Sequence, residues 1–149
     1  MQKCYLALGC FWKPEETFRS IKGITETEVG YAGGKNKNVT YEEICTGNTE
    51  HAETVKITFD ENLISFEKIL EYFFNIHDPT QKDMQYPDVG TQYRSEIFYQ
   101  NEVQKETAEK FKKLFSQKIS GSIETKISEL KNYCKAEEYH QKYIMKRGR

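Results

Sequence analysis

Cys10 is the residue in this chain whose surroundings best suit covalent chemistry. It follows Gly9 at the end of a short apolar segment, and a helix is predicted to begin directly after it. The unpaired N–H groups and the positive dipole end at a helix amino terminus favour a thiolate over a thiol. The sequence therefore predicts a lowered pKa and a nucleophilic role for Cys10. The alternative is a small buried residue that closes a strand.

Two bulky aromatic residues, Phe11 and Trp12, follow this cysteine immediately. Side by side with a nucleophile, they can form an apolar slot for a small methyl or thioether group, to which sulfur–ring contacts contribute ~0.3–1.5 kcal/mol. Alternatively they anchor the helix in the core. Both interpretations remain open for different faces of the two rings.

The segment Gly9-Cys10-Phe11-Trp12, followed by Glu15, resembles the active-site motif of the A class of peptide methionine sulfoxide reductases. Ordered matches to this family continue along nearly the whole chain. They are Gly30-Tyr31-Ala32-Gly33-Gly34, Thr40-Tyr41, Cys45-Thr46-Gly47, His51-Ala52-Glu53, His77-Asp78-Pro79, Asp88-Val89-Gly90-Thr91-Gln92-Tyr93-Arg94-Ser95 and Ala136-Glu137-Glu138-Tyr139-His140-Gln141. The resemblance implies an oxidoreductase that repairs oxidised proteins. It would reduce methionine S-sulfoxide, free or in proteins, to methionine and leave a sulfenic acid on its cysteine.

The resemblance also implies roles for individual residues. Cys10 is implied as the nucleophile on sulfur and Glu53 as the proton donor to the sulfoxide oxygen. The implied substrate-binding residues are Phe11, Trp12, Tyr41, Asp88 and Tyr93. Tyr41 and Tyr93 are implied to donate hydrogen bonds to the sulfoxide oxygen. Asp88 is implied to line the pocket, and Phe11 with Trp12 to bind the methyl group. The S–O bond breaks only if the negative charge growing on oxygen is protonated or held by donors. Glu53 must then have a pKa raised by ~2 units, which burial can cause.

A sulfenic acid on Cys10 must be reduced by another thiol before the next turnover. Family members often carry a resolving cysteine in a Gly-rich carboxy-terminal tail, but this chain has no cysteine after Cys134. The family usually has proline where Lys135 stands here. Cys134 is a possible resolving cysteine, and direct reduction by an external thiol of the thioredoxin or glutaredoxin type is favoured. Cys4 and Cys45 are expected to pack in the structure.

Composition and spacing limit the other classes of function. With 22 basic and 23 acidic residues the formal net charge is -1, which does not favour a nucleic-acid partner. No stretch approaches the ~20 apolar residues of a membrane span, and residues 4–8 are too short for a signal-peptide core. We therefore expect a cytoplasmic protein, monomeric, with reduced cysteines.

Bound groups are also not expected. The sequence His51-Ala52-Glu53 fits half of a zinc deaminase motif, but the Pro-Cys-x-x-Cys half is missing, so no metal is expected. The glycines of residues 30–34 do not follow a dinucleotide-binding order, so no bound cofactor is expected. Two rival functions remain open: a cysteine hydrolase that pairs Cys10 with His51 or His140, and a non-catalytic module that binds methionine-containing peptides.

The elements that must position these residues fit one domain, residues 1–149. Strands are predicted at residues 3–8, 25–31, 55–59 and 95–99, with an edge strand at 123–127. Helices are predicted at 11–21, from Ser65, from Asn101 and at 137–145, with a loop at 77–93. In the helix after Asn101 the inward residues are expected to be Val103, Thr107, Phe111, Leu114 and Phe115. This alternation predicts an α+β fold, a two-layer sandwich with helices packed on a mixed sheet.

Overall fold

The computed structural model describes residues 1–148, and Arg149, the last residue of the expected domain, lies outside the described residues. Within this part of the chain the strands are β1 Gln2–Leu8, β2 Ile24–Ala32, β3 Ala52–Phe59, β4 Met84–Gln85, β5 Asp88–Val89, β6 Ser95–Tyr99, β7 Lys126–Glu129 and β8 Cys134–Lys135. The α-helices are α1 Trp12–Arg19, α2 Tyr41–Cys45, α3 Phe66–Asn75, α4 Glu102–Ser116 and α5 Tyr143–Lys146. Single 3₁₀ turns occur at Thr91–Tyr93 and Glu138–His140.

Six of the strands form one sheet in the order β7-β6-β1-β3-β2-β8. All neighbours in it are antiparallel except β6 and β7, which run parallel, so the sheet is mixed. The strands β4 and β5 form a separate hairpin. The core lies between the sheet and its helices, where residues such as Leu6, Ile57 and Phe73 are fully buried. The predicted α+β fold, with a mixed sheet in a single domain, is confirmed.

Local sequence signals explain how α3 forms. The Ser65 side chain caps the helix by accepting a hydrogen bond from the backbone N–H of Lys68 at 3.1 Å. The apolar residues then recur with helical spacing and are buried against the sheet; they are Ile69, Leu70, Phe73 and Phe74. The predicted start of this helix at Ser65 is confirmed.

The helix α4 begins where predicted, because Asn101 accepts a hydrogen bond from the backbone N–H of Gln104 at 2.9 Å. Its predicted inward face is wrong in part: Val103 is 73% exposed and Leu114 is 41% exposed. The buried side chains of α4 are Gln104, Ala108 and Phe115. The Gln104 amide donates to the carbonyl of Lys3 on β1 at 2.8 Å, and this long-range bond fixes the rotation of the helix.

Several short elements differ from the sequence prediction. The edge strand spans Lys126–Glu129 rather than 123–127, and residues 77–93 contain the β4–β5 hairpin and a 3₁₀ turn rather than only loop. The single helix expected at 137–145 is wrong as well. Lys142 has a φ of 49°, a left-handed conformation that lies between the 3₁₀ turn Glu138–His140 and the start of α5. The short elements α2 and β8 were not predicted.

None of the helices within residues 1–148 combines the length and the apolar character needed to cross a membrane.

The burial pattern of α4 leads to a matched pair of stability predictions. Val103→Ala should change the free energy of unfolding by less than about 0.5 kcal/mol, because this side chain is exposed. Phe115→Ala should cost about 3 kcal/mol, because Phe115 is buried and stacks on Phe74 at a centroid distance of 4.9 Å. Urea denaturation of the two variants measures both values. If both substitutions lowered the free energy of unfolding equally, the orientation of α4 against the sheet would be wrong.

Candidate active site

Cys10 lies in the turn between β1 and α1, as the sequence predicts. Gly9 precedes it with a φ of +97°, and a Cβ atom at Gly9 would lie 2.9 Å from Cγ of Gln85. Glycine is therefore required for both the backbone conformation and the close approach of the β4–β5 hairpin. The Cys10 side chain is partly exposed, and the backbone N–H of Trp12 donates toward its sulfur.

The predicted lowering of the Cys10 pKa is wrong for the unliganded site. Burial raises the pKa of the Cys10 thiol to about 12, and the negative charges of Glu53 and Asp88 act in the same direction. The hydrogen bond from the Trp12 N–H opposes them but is the weaker effect. A helix amino terminus lowers a thiol pKa when the thiol is solvated, whereas here the desolvation of the thiolate dominates.

Glu53 faces the same region from β3 and is only 1% exposed. One oxygen accepts the backbone N–H of Phe11 at 3.3 Å, and the other accepts the side-chain amide of Gln92 at 3.2 Å. Burial raises the pKa of Glu53 to about 7; its two hydrogen bonds act against this rise, and the charge of Asp88 adds to it. This agrees with the rise that a proton donor at neutral pH requires.

The phenols of Tyr41 and Tyr93 meet beside this carboxyl group. The Tyr41 side chain interacts with the Tyr93 phenol and with the thiol of Cys45. Burial raises the pKa of Tyr41 above its usual range, and burial with the charges of Glu53 and Asp88 raises the pKa of Tyr93 to about 12. Both phenols therefore keep their protons near neutral pH and remain hydrogen-bond donors.

The two rings after Cys10 have different surroundings. Phe11 is 1% exposed and packs against Tyr31 and His140, with centroid distances of 5.8 and 5.2 Å. The core-anchor interpretation therefore describes most of the Phe11 ring. Trp12 is only partly buried, stacks on Tyr143 at 3.7 Å, and donates its indole N–H to Nδ1 of His140 at 3.0 Å. Trp12 keeps surface that a ligand can reach.

Asp88 lies on the other side of Cys10, in the β4–β5 hairpin. A cleft of about 440 Å³ separates the hairpin from α1. Its lining includes Cys10, Asp88, Lys13, Pro14, His77 and Tyr86. The thiol thus lies between this cleft and the cluster formed by Glu53 and the two phenols.

Three residues that the structure brings to this cluster had no predicted role in the reductase chemistry. Gln92 links Glu53 to Cys45, whose Sγ lies 3.7 Å from the amide nitrogen. Glu137 accepts the hydroxyl of Tyr31 and the backbone N–H of Tyr41, each at 2.8 Å. His140 accepts the Trp12 indole. All three lie inside motif matches quoted above, which was the only available signal, but spacing along the chain did not indicate their contacts.

Comparisons with known proteins agree with this geometry. A family model described as "Peptide methionine sulfoxide reductase" matches residues 2–149. The chain is 58% identical to peptide methionine sulfoxide reductase MsrA of Pelagibacter ubique over 147 residues, which are 99% of this chain and 100% of that protein. The chain belongs to the peptide methionine sulfoxide reductase family. It is also 47% identical to MsrA of Clostridium perfringens over 146 residues, covering 98% of this reductase and 93% of that protein.

Solved structures give the same assignment. Mxr1 from Saccharomyces cerevisiae in reduced form superposes with a TM-score of 0.95 at 35% identity, covering 99% of this reductase and 86% of that chain. Methionine sulfoxide reductase A of Corynebacterium diphtheriae gives 0.89 at 34% identity, with 99% and 75% covered. Mxr1 in complex with Trx2 gives 0.69 at 25% identity, with 95% and 84% covered. The protein is therefore an oxidoreductase, and the interpretations as a hydrolase or a non-catalytic module are wrong.

The contacts of the histidines are consistent with this assignment. Nδ1 of His51 faces the carbonyl of Thr49, and Nε2 faces the carbonyl of Asn132, each at 3.2 Å. Nδ1 of His140 is occupied by Trp12. Neither imidazole is thus arranged as a base for Cys10. Residues 1–148 contain no group of His, Cys, Asp and Glu side chains that could hold a metal ion.

The other three cysteines differ in their surroundings, and all four are free thiols. Cys4 is fully buried in the core, as expected. Cys45 is exposed, so the expectation that it packs inside is wrong. Cys134 and Glu53 pair with Tyr31 from opposite sides, so Cys134 lies two strand spacings, about 9.5 Å, from the Glu53 backbone. The strand that carries the buried Tyr31 thus lies between Cys134 and Glu53.

The raised pKa of Cys10 predicts how this thiol reacts with iodoacetamide. Because only the thiolate reacts, the rate of Cys10 alkylation should increase about tenfold per pH unit from pH 7 to 10. Glu53→Gln removes a negative charge that raises the Cys10 pKa, so alkylation at pH 9 should become faster. Peptide mass spectrometry at timed quenches measures both rates. A wild-type rate that levels off above pH 8 would mean that the helix terminus outweighs burial after all.

Proposed function

We propose that this reductase converts methionine S-sulfoxide, free or in proteins, to methionine by attack of the Cys10 sulfur on the sulfoxide sulfur. The observation that carries the proposal is the junction of a thiol and a protonatable buried carboxyl group. The backbone N–H of Phe11, the residue after Cys10, donates to Glu53 at 3.3 Å, and burial raises the pKa of that carboxyl to about 7.

The reaction transfers one oxygen and two electrons between sulfur atoms. The Cys10 sulfur first forms a bond to the sulfoxide sulfur. The substrate S–O bond and this new S–S bond then break, and the oxygen forms a bond to the Cys10 sulfur, which becomes a sulfenic acid. Methionine leaves as the thioether, reduced by two electrons, and Cys10 is oxidised by two. The sulfenic acid carries the proton that Glu53 gives to the oxygen, and the proton lost by the Cys10 thiol restores Glu53, so no other co-reactant is needed for this half of the cycle.

Glu53 supplies the proton at the moment when charge grows on oxygen. With a pKa of about 7, this carboxyl group is protonated in a large fraction of the molecules at neutral pH. The phenols of Tyr41 and Tyr93 meet at the same place and keep their protons, so they can donate hydrogen bonds to the same oxygen. Such donors, fixed before the reaction, stabilise the developing charge with little reorganisation.

The methyl group of the substrate contacts the accessible surface of Trp12, with Phe11 beneath as support. Asp88 completes the pocket on the side of the cleft. The proposed selectivity for the S epimer rests on family membership and on the layout of the site. The oxygen donors lie on one side of Cys10, and the apolar ring of Trp12 lies on another. A chiral sulfoxide can satisfy both sides in one orientation only.

An external dithiol protein of the thioredoxin or glutaredoxin type reduces the sulfenic acid. Two thiols convert it to the thiol, giving one disulfide and one water. The structure of Mxr1 in complex with Trx2 supports such a partner, since that protein is 25% identical to this reductase. The position of Cys134 behind Tyr31 supports an external thiol over an internal one. Four free cysteines suit a reducing compartment, so we assign the enzyme to repair of oxidised proteins in the cytoplasm.

The reaction is tested by HPLC of the purified protein with each resolved epimer of methionine sulfoxide and excess dithiothreitol. Methionine should form from the S epimer alone. Cys10→Ser should form none, and Glu53→Gln should be slower by at least about 100-fold, the usual range for loss of a general acid. Wild-type kcat/KM should rise up to about pH 7 and then level off, because above pH 7 the loss of the Glu53 proton offsets the increase in Cys10 thiolate. An active Cys10→Ser protein would sink the mechanism.

Recycling is tested with thioredoxin, thioredoxin reductase and NADPH in place of dithiothreitol. Cys134→Ser should keep its thioredoxin-driven turnover at the wild-type level, because the thiol of Cys134 is engaged by the carbonyl of Val39 at 3.8 Å and the Tyr31 strand separates Cys134 from Glu53. NADPH oxidation measures the turnover. If Cys134→Ser turns over with dithiothreitol but stops with thioredoxin, Cys134 is the resolving cysteine.

A further inference from the structure

His140 is a buried histidine that the proposed chemistry leaves without a task. It is 1% exposed, and Nδ1 accepts the indole N–H of Trp12 at 3.0 Å. Because Nδ1 accepts, the ring proton lies on Nε2. That buried atom has no hydrogen-bond partner among residues 1–148. The bond to Trp12 is thus the single side-chain hydrogen bond that this imidazole makes within the described chain.

Packing fixes the imidazole in place. Rings surround it with centroid distances from 4.2 to 5.7 Å, and they belong to Phe11, Trp12, Tyr41 and Tyr139. The set includes three residues of the substrate site and joins α1 to α2. A rotation of the imidazole that would release the Trp12 N–H therefore requires several rings to move.

The carboxy-terminal segment holds Trp12 at a second point. The Tyr143 ring stacks on the indole at a centroid distance of 3.7 Å and an interplanar angle of 11°. Between these two contacts, the backbone N–H of Lys142 donates to the buried Glu15 of α1 at 2.8 Å. The side chain of Gln141 also bonds Val29 on β2, at 2.9 and 2.8 Å. The segment that carries both contacts is itself tied to α1 and the sheet.

We propose that His140 is a positioning residue that fixes the plane of the Trp12 indole beside Cys10, so that its accessible face is ready for the substrate methyl group. The inference rests on the proposed function, which gives Trp12 its contact with the substrate. His140 does not touch the reacting atoms, so it acts through Trp12 alone. An indole fixed before binding loses less conformational entropy when the sulfoxide arrives.

Two substitutions separate the hydrogen bond from the packing. His140→Asn keeps an acceptor oxygen where Nδ1 lies, and His140→Phe keeps a ring but leaves the Trp12 N–H without an acceptor. We expect His140→Phe to raise the KM for methionine sulfoxide about tenfold, the effect of ~1.4 kcal/mol, with kcat within about threefold of wild type. We expect His140→Asn to keep KM within about threefold of wild type.

Trp12 is the only tryptophan in the chain, so its fluorescence reports the indole directly. His140→Phe should shift the emission, and His140→Asn should leave it near the wild-type maximum. His51→Asn is the matched control, since it removes another buried imidazole that bonds Thr49 and Asn132 instead. It should lower Tm while leaving KM and the emission unchanged. If His140 had only a structural role, its substitution would likewise lower Tm and leave KM and the emission unchanged.

One measurement needs no variant. The indole N–H of Trp12 gives the single indole signal in a ¹H–¹⁵N spectrum, and its exchange with solvent should be slowed at least about 100-fold relative to a free indole. Rapid exchange would overturn the inference even if His140→Phe did not fold. So would a folded His140→Phe protein with wild-type KM and emission.

Trp12→Phe distinguishes this inference from the proposed function. If Trp12→Phe raises KM and His140→Phe does not, the substrate contact stands and the positioning role of His140 is wrong. If Trp12→Phe leaves KM unchanged, the substrate contact assigned to Trp12 is wrong. If the wild-type protein releases no methionine from either epimer, the proposed reaction fails regardless of His140.

Discussion

A carboxyl group buried beside a thiol is the constraint on which the rest of this site depends. Glu53 is bonded by two neutral donors, Phe11 and Gln92, and takes part in none of the ion pairs found among residues 1–148. Burying a charge without a cation is costly, so the group takes up a proton instead. The same burial raises the pKa of Cys10. Near neutral pH Cys10 thus keeps its proton and Glu53 keeps its own in a large fraction of the molecules, which suits the proposed protonation of the sulfoxide oxygen.

The fold serves this constraint by bringing distant segments to one end of the sheet. The strand β3 carries Glu53, the start of α1 supplies the Phe11 N–H, and the 3₁₀ turn supplies Gln92. Arg94 holds that turn in place: its guanidinium donates to the carbonyl of Thr91 at 3.0 Å and pairs with Glu96 on β6 at 2.6 Å. The buried Arg94–Glu96 pair thereby fixes the turn that carries Gln92 and Tyr93. The position of Gln92 beside Glu53 is therefore fixed by the fold.

Elements that depend on contacts between near neighbours in the sequence were predictable, and features that depend on contacts between distant residues were not. The caps at Ser65 and Asn101 and the apolar spacing of α3 involve neighbours within a few residues, so the sequence contains them. The rotation of α4 depends on the bond from Gln104 to β1, and the break at Lys142 depends on docking against Glu15. The family motifs indicated residues that the structure brings together around Cys10, and their roles stay predictions. They did not indicate that burial would outweigh the helix terminus at Cys10.

The raised pKa of Cys10 affects the timing of the proposed reaction. Two negative charges, on Glu53 and Asp88, raise the pKa of this thiol. When Glu53 holds a proton, one of those charges is gone, and the thiolate becomes easier to form at the moment when a proton is available for the sulfoxide oxygen. A site with Glu53 ionised lacks the acid and also disfavours the nucleophile. In the proposed mechanism, nucleophilic attack and protonation are in this way coupled through the charge of a single carboxyl group.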